Sequence, residues 1–204
     1  YGDMDVSRLI EKPRNRKEII TLSKPEEKID EVLIFIKNEI NNGNQIFWVC
    51  PLIEESKKLD YVAAVKKYNY LYQKFNKRVG LIHGTLDKEK KNIALNNFLN
   101  KSIDILVSTT IIEVGVDFPN ANVIIIENSN KFGLSQLHQL RGRVGRGINQ
   151  GTCILLYKKN LSENAKKRIK ILKSSNDGFL IAEEDMKLRG FGDVLGYQQS
   201  GAKD

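Results

Sequence analysis

Residues 103–127 read IDILVSTTIIEVGVDFPNANVIIIE, and the two ends of this stretch decide the fold. Each end is a short apolar run in which polar and apolar side chains do not alternate, at residues 103–108 and again at residues 122–127. Strands with this pattern are buried on both faces, as in a parallel sheet covered by helices. The stretch therefore predicts two buried strands of an α/β protein.

The same kind of strand recurs along the chain, separated by segments with helical periodicity. Further strands are predicted at residues 45–52, 79–83 and 152–157, and helices between Pro25 and Gly43 and over residues 59–75, 88–99 and 134–143. Alternation of short apolar strands with amphipathic helices is typical of βαβ units. We therefore predict an α/β fold with a parallel sheet covered by helices on both faces.

The pattern changes after Lys158 and defines three parts of the chain. Residues 1–24 are polar and basic and are predicted as an extended lead-in, and residues 25–159 as the sheet domain. Residues 160–204 are predicted as a C-terminal helical hairpin followed by a loop, because the segment after Arg189 is too rich in glycine for a helix.

Composition limits the class of partner. The 204 residues include 33 Lys and Arg against 25 Asp and Glu, a net charge of +8, which indicates a polyanionic partner, although a Lys-rich composition can also be a genome-wide bias. Cys50 and Cys153 both lie within apolar runs and are predicted to be buried thiols in a reducing compartment. No apolar run approaches the length of a membrane span and no signal peptide is present, so no membrane partner is expected.

The carboxyl ends of parallel strands meet at one edge of a sheet, where ligands of such folds gather. The residues that follow predicted strands are therefore expected along one working edge, together with the helix after residue 128. They are His83, Gly84, Ser108, Thr109, Thr110, Glu127 and Asn128.

An arginine cluster is the most specific chemical feature of the sequence. Residues 135–147 read SQLHQLRGRVGRG and carry Arg141, Arg143 and Arg146 among three glycines. Guanidinium forks bind phosphate oxygens in pairs and stay charged at any accessible pH. The alternative is a basic helix end that interacts favourably with the helix dipole.

Two weaker patterns lie at the same predicted edge. After the strand at residues 103–108, the hydroxyls of Thr109 and Thr110 could hold a phosphodiester backbone, and Asp117 could accept a hydrogen bond from a ribose hydroxyl. The alternative is a capped strand-to-helix turn. Next to Gly84 a phosphate could approach the backbone, but His83 at a strand end is more often a structural residue.

Several other sites are not predicted. The sequence contains no Gly-x-x-x-x-Gly-Lys-[Ser/Thr] phosphate loop, so the chain alone is expected not to hydrolyse ATP. The paired carboxylates at residues 3–5 and 183–185 have no metal-ligand context, and no metal site is predicted.

Four segments together resemble a known family. Residues 139–146, QLRGRVGR, resemble the sixth helicase motif of superfamily 2, while residues 108–117 are similar to its fifth motif and residues 45–56 to its fourth. Residues 188–201 resemble the translocation motif that the RecG and Mfd families share, with Phe191 and Tyr197 where Pro and Thr are expected. The segment CPLIEES and the opening YGDMDVS favour the RecG family, and the resemblance covers essentially all of the chain.

This resemblance implies the second RecA-like domain, with most of the translocation motif, of an ATP-dependent helicase that remodels stalled replication forks and Holliday junctions. ATP and Mg²⁺ would be bound mainly by the first RecA-like domain, and a wedge domain would split the branched DNA. Both lie outside the sequence. A cytoplasmic, nucleoid-associated bacterial protein is implied. The alternatives are an Mfd-like transcription-repair coupling translocase and, for the isolated chain, a non-catalytic nucleic-acid-binding module.

The resemblance also assigns residues to the nucleotide. Arg143 and Arg146 would be catalytic, reaching the γ-phosphate across the interdomain cleft as arginine fingers. Gly115 and Asp117 would meet the ribose, and Gln139 would join the sixth motif to the nucleotide.

The remaining assignments concern DNA and its coupling to hydrolysis. The DNA strand would be held by His83, Gly84, Thr109 and Thr110, and coupling would depend on Glu113, Arg189 and Gln199.

Overall fold

The computed structural model describes residues 18–51, 57–109, 118–145 and 150–194. Its strands are β1 (Ile20–Pro25), β2 (Gln45–Val49), β3 (Val79–Ile82), β4 (Ile105–Ser108), β5 (Ala121–Ile126) and β6 (Thr152–Tyr157). Its α-helices are α1 (Ile29–Asn41), α2 (Lys57–Lys74), α3 (Lys88–Leu99), α4 (Leu134–Arg141), α5 (Glu163–Ser174) and α6 (Gly178–Val194). Short 3₁₀ helices lie at Glu26–Lys28 and Ser129–Lys131.

The six strands form one parallel sheet in the order β1-β6-β5-β2-β4-β3. The strand β2 lies between β4 and β5, and its Phe47 pairs with Leu106 on one side and with Ile124 on the other. The predicted parallel α/β sheet is thus confirmed, and the two apolar runs of residues 103–127 flank the central strand.

Helices cover both faces of the sheet, as predicted. Side chains alternate along β2, so that Phe47 joins the core beneath α3, α4, α5 and α6 while Trp48 joins the core beneath α1 and α2. Every residue of β2, β4 and β5 is buried. Burial on both faces explains why these strands lack polar alternation.

The first strand corrects the predicted boundary of the sheet domain. Residues 20–25, most of which belong to the predicted lead-in of residues 1–24, form an edge strand that pairs along its whole length with β6. Thr21 is buried there, while Ile20 and Leu22 point outward. The partner strand begins at Thr152, so local periodicity gave no sign of the pairing.

The predicted C-terminal hairpin is present as α5 and α6, with one correction. The α6 helix is interrupted at Gly190, whose φ of 56° and ψ of −154° are not helical, but residues 191–194 are helical again. The prediction of a loop after Arg189 was therefore wrong for those residues. A glycine adopts this positive φ without a steric cost, so one residue breaks the helix and the chain then resumes it.

No helix in the four described segments is both long and apolar enough to cross a membrane.

Candidate functional site

The carboxyl edge of the sheet brings several predicted residues side by side. The backbone N–H of Thr109 donates to the Ile82 carbonyl over 3.0 Å, and that of Glu127 donates to the Val49 carbonyl over 2.9 Å. Because the ladder continues past the strand ends, His83 and Thr109 lie side by side after β3 and β4, and Glu127 lies at the same edge after β5, with β2 between β4 and β5.

At this edge, His83 is held in place by two neighbours. Its Nδ1 lies 2.8 Å from the Thr85 hydroxyl, and its ring contacts the Tyr61 ring edge-on with centroids 4.6 Å apart. Burial, and then the charge of Lys91, lower the pKa of His83, so the ring is neutral at pH 7. Gly84 is exposed beside it. Together they present a fixed neutral donor or acceptor and an open backbone turn.

The side chain of Thr109 is not available to a DNA strand, contrary to its predicted role. The residue is 4% exposed, and its hydroxyl has no hydrogen-bond partner among the described residues. Its backbone extends the sheet by one residue, which turns the side chain inward. Of this pair only Thr110, which lies outside the described residues, remains a candidate for a hydroxyl contact with DNA.

An ion pair that the sequence did not predict fixes the middle of the edge. The Lys67 ammonium lies 3.0 Å from a carboxylate oxygen of Glu127 and 5.4 Å from the centre of the Trp48 ring. The Cys50 thiol is hydrogen-bonded to Glu127, and burial raises its pKa well above the usual value. Lys67 comes from the middle of α2, so only the packing of α2 on the sheet brings it to Glu127.

The described part of the arginine cluster, Arg141 and Arg143, lies towards the opposite edge of the sheet, which corrects the prediction of a single working edge. The helix α4 starts near the carboxyl edge and runs back along the sheet. Beyond its end, the N–H of Gly145 donates over 3.2 Å to the carbonyl of Ala121, the first residue of β5. Eight helical residues span about 12 Å. The helix that follows a parallel strand must return antiparallel to it, so the residues after α4 reach the amino edge.

The three arginines of the cluster are not equivalent. Arg143 is half-buried at the amino edge, and no hydrogen bond or ion pair joins its side chain to another described residue. Gln139 is exposed on the last turn of α4. Arg141, in contrast, is 1% exposed and belongs to the interior, so it cannot bind an anion from solvent.

Most of the fifth motif lies outside the described segments. Thr109 and Phe118, the described residues on either side of segment 110–117, lie at the carboxyl and amino edges respectively. Six predicted site residues lie outside the described segments: Thr110, Glu113, Gly115, Asp117, Arg146 and Gln199. Within the described segments, no group of three or more His, Cys, Asp or Glu side chains is placed to hold a metal ion.

The hairpin packs on α4 through polar contacts. The Ser135 hydroxyl donates to Asp185 over 3.0 Å, and the same Asp185 oxygen lies 3.2 Å from Nε of Arg189. Asp185 is buried, whereas Arg189 is partly exposed. Asp185 thus links the predicted coupling residue Arg189 to α4. Residues 183–185 are predicted from the sequence only as paired carboxylates without a metal-ligand context, and the role of Asp185 was not predicted.

The other end of α6 lies near the arginine cluster. A side chain at Gly178 would come within 3.4 Å of Nε2 of His138, in the last turn of α4. The helix therefore starts beside the amino-edge end of α4 and runs back along it to Asp185 and Arg189.

Comparisons with known proteins identify the family of the chain. Residues 14–147 match the helicase conserved C-terminal domain, and residues 175–203 match domain 3, C-terminal, of the ATP-dependent DNA helicase RecG. The RecG protein of Synechocystis sp. is 47% identical over 206 residues, covering 100% of this chain and 25% of that protein. The Bacillus subtilis RecG is 46% identical over 203 residues, covering 98% of this chain and 30% of that protein.

Solved structures give the same result. A RecG bound to a three-way DNA junction matches with a TM-score of 0.76 and 43% identity over 93% of this chain and 25% of that one. The C-terminal domain of the Saccharomyces cerevisiae protein Dbp5 shares the fold alone, with a TM-score of 0.55, 17% identity and coverage of 85% of this chain and 98% of that one. The resemblance to RecG stated from the motifs is confirmed.

Proposed function

The chain belongs to the helicase conserved C-terminal domain family, and from this premise we propose that it is the second motor domain of an ATP-dependent DNA helicase that remodels branched DNA. It spans only 25% and 30% of the lengths of the two RecG relatives, so the activity belongs to a longer protein. The matching relatives are RecG proteins, which favours this function over an Mfd-like translocase.

One observation carries the proposal. Arg143 lies at the amino edge of the sheet and the strand-end residues His83 and Gly84 lie at the carboxyl edge, while α4 and α6 run between the two edges. A translocase needs a nucleotide end and a DNA end that move together. A simple binding module needs only one of them.

At the nucleotide end, the described residues fit a phosphate. Arg143 is half-buried and its guanidinium has no partner in the described segments, so its donors are available to an incoming anion. ATP, with Mg²⁺ held mainly by the first RecA-like domain, supplies the phosphoryl group that is transferred to water. Arg143 and Arg146 stabilise the charge that develops on it, Gln139 links this loop to the nucleotide, and Asp117 with Gly115 contacts the ribose.

At the DNA end, the contacts are to one strand of a branched or forked duplex. Gly84 lets a phosphate approach the exposed backbone turn, and His83 offers its ring beside it. Thr110 is the threonine that contacts the strand, because the Thr109 side chain is buried. The first RecA-like domain and a wedge domain of the same protein complete the DNA site.

Coupling runs through the hairpin. The contacts Ser135–Asp185 and Asp185–Arg189 tie α6 to the helix that leads to the arginine loop. Arg189 and Gln199 transmit closure of the nucleotide cleft to DNA, and Glu113 links the two ends within the fifth motif. A role in DNA repair and recombination in the bacterial cytoplasm, close to the nucleoid, follows from such an activity.

The decisive experiment compares ATP hydrolysis by the isolated chain with ATP hydrolysis by the full-length protein. The isolated chain is expected to hydrolyse no ATP with forked DNA, because it contains no phosphate loop. The full-length protein is expected to hydrolyse ATP with strong stimulation by forked DNA. A full-length protein that binds forked DNA but shows no DNA-stimulated hydrolysis would identify a binding module instead. The control is a full-length preparation whose own phosphate loop has been mutated.

The finger assignment has its own test. In the full-length protein, Arg146→Ala is expected to lower kcat by about 10³-fold or more while DNA affinity changes little, because the charge it stabilises develops only in the transition state. Loss of DNA binding with normal residual turnover would make Arg146 a DNA contact. Arg143→Ala measured in parallel separates the two arginines.

The coupling assignment predicts a different pattern. Arg189→Ala or Gln199→Ala is expected to leave most of the DNA-stimulated ATP hydrolysis intact and to abolish fork unwinding, since hydrolysis needs only the nucleotide end. Equal loss of both activities together with a lower melting temperature would mean that the tail only supports the fold.

A further inference from the structure

Arg141 is a buried cation with an unusual set of partners. It is 1% exposed, and no carboxylate contributes to its environment among the described residues. One terminal nitrogen of its guanidinium donates to the Thr21 hydroxyl over 3.2 Å and to the Leu172 carbonyl over 2.6 Å. The other lies 2.9 Å from Nδ1 of His138. The three acceptors come from β1, α5 and α4.

Burial lowers the pKa of both titratable groups in this cluster, but only His138 is neutral as a result. Burial lowers the pKa of Arg141, yet a guanidinium keeps its proton in proteins. Burial, followed by the charge of Arg141, also lowers the pKa of His138, while Asp177 opposes this effect. His138 is therefore neutral at pH 7, and its Nδ1 accepts the hydrogen bond from Arg141. A planar guanidinium with three acceptors in place holds all three at set distances and angles.

Other contacts bring the hairpin turn to the same point. Nδ2 of Asn176 donates to the Ile19 carbonyl over 3.2 Å, and Gly178 packs against His138. The end of α4, the start of β1 and the turn between α5 and α6 thus meet around one guanidinium. Arg143, the first arginine of the proposed nucleotide site, follows Arg141 by two residues.

We propose that Arg141 is a positioning residue of the motor. It fixes the end of α4 against β1 and the hairpin turn, and in this way it aims the loop that carries Arg143 at the nucleotide. Arg141 itself touches neither nucleotide nor DNA. This proposal rests on the proposed function, because the position of Arg143 matters for catalysis only if the chain is part of an ATP-driven motor.

The test compares two buried-site variants with a matched control in the full-length protein. Arg141→Met keeps much of the side-chain volume and removes all three hydrogen bonds, and Thr21→Val removes one acceptor at nearly constant shape. The control is Arg78→Met, because Arg78 also donates three hydrogen bonds, to Asp104 and to the Lys101 carbonyl, but at the edge of the sheet next to β3. DNA-stimulated kcat, the KM for ATP and the melting temperature are measured for each, well below every melting temperature.

We expect Arg141→Met to lower kcat at least tenfold and Thr21→Val to lower it severalfold, with Arg78→Met within twofold of wild type. Arg141→Lys, which keeps a donor, is expected to recover part of the loss. Wild-type kcat in Arg141→Met, even with a lower melting temperature, would overturn the proposal. If that variant does not fold, unchanged kcat in both Thr21→Val and Arg141→Lys would overturn it equally. A wild-type protein without DNA-stimulated hydrolysis would instead refute the proposed function.

Discussion

A single methyl group added at Gly151 is expected to disturb the arginine loop. A Cβ built on Gly151 would lie 2.9 Å from Cα of Gly145 and 3.2 Å from Cγ1 of Ile19. The first neighbour is backbone and cannot rotate away, and Gly145 already has a φ of 73° that favours glycine. Gly151→Ala must therefore displace the loop that follows Arg143. Overpacking of this kind costs about 1–3 kcal/mol of the free energy of unfolding.

The control is Gly142, which lies nine residues earlier, at the end of α4. Gly142 has helical backbone angles, and a Cβ there would meet only the carbonyl oxygens of Gln139 and His138 at 3.4 and 3.6 Å. Gly142→Ala is thus expected to be neutral or to stabilise by about 0.4–1 kcal/mol. Thermal melting and DNA-stimulated ATP hydrolysis of the full-length protein measure both variants. If Gly151→Ala matched wild type in both assays, the loop would not pack as described.

Three further results are expected. Maleimide labelling at pH 8, read by mass spectrometry, should modify Cys50 and Cys153 only after unfolding, because burial raises the pKa of Cys50 and raises that of Cys153 to about 12; labelling of the folded protein would contradict their burial. The pKa of His138 is lowered in the folded protein, so the unfolded chain takes up a proton at higher pH than the folded chain does. The free energy of unfolding should therefore fall as the pH drops through about 6.5. Denaturant titrations should find that the free energy of unfolding depends less on pH in His138→Gln than in wild type. Gln45→Leu removes one donor from the Phe98 carbonyl, which still accepts from the Lys101 N–H, and removes the side-chain donor of the Ile103 carbonyl. The change should cost about 1–3 kcal/mol of the free energy of unfolding, whereas an unchanged denaturation midpoint would refute that pairing.

The sheet was predictable because local patterns report burial directly. The runs at residues 103–108 and 122–127 lack polar alternation, and the strands they form are covered on both faces. The edge strand β1 was not predictable in this way, because its exposed Ile20 and buried Thr21 depend on pairing with a strand that lies more than a hundred residues later. A local pattern specifies a strand only where the strand's own burial is strong.

The positions of the candidate site residues in the fold were only partly predictable from the sequence. The carboxyl-edge rule placed His83 and Glu127 at the same edge of the sheet, with β4 and β2 between their strands, since the rule follows from strand direction alone. It gave the wrong edge for Arg143, because a returning helix separates that residue from the strand end. The sequence also did not show which arginine faces solvent. Arg141 and Arg143 are two residues apart in a basic run, and only the packing of α5 and β1 buries Arg141.

The division of the arginine cluster also bears on how such a domain works. A guanidinium that must bind a changing ligand has to be free of permanent partners, as Arg143 is within the described segments. A guanidinium that holds several elements together needs permanent acceptors from each of them, as Arg141 has from β1, α5 and α4. Because Arg141 and Arg143 are only two residues apart, the fixed position of Arg141 restricts where the side chain of Arg143 can lie. If Arg143 binds the nucleotide as proposed, a change in the nucleotide that moves Arg143 is expected to displace the end of α4. Through the contacts of Arg141 the displacement would then reach β1 and the start of α6, and Arg189 lies towards the other end of α6.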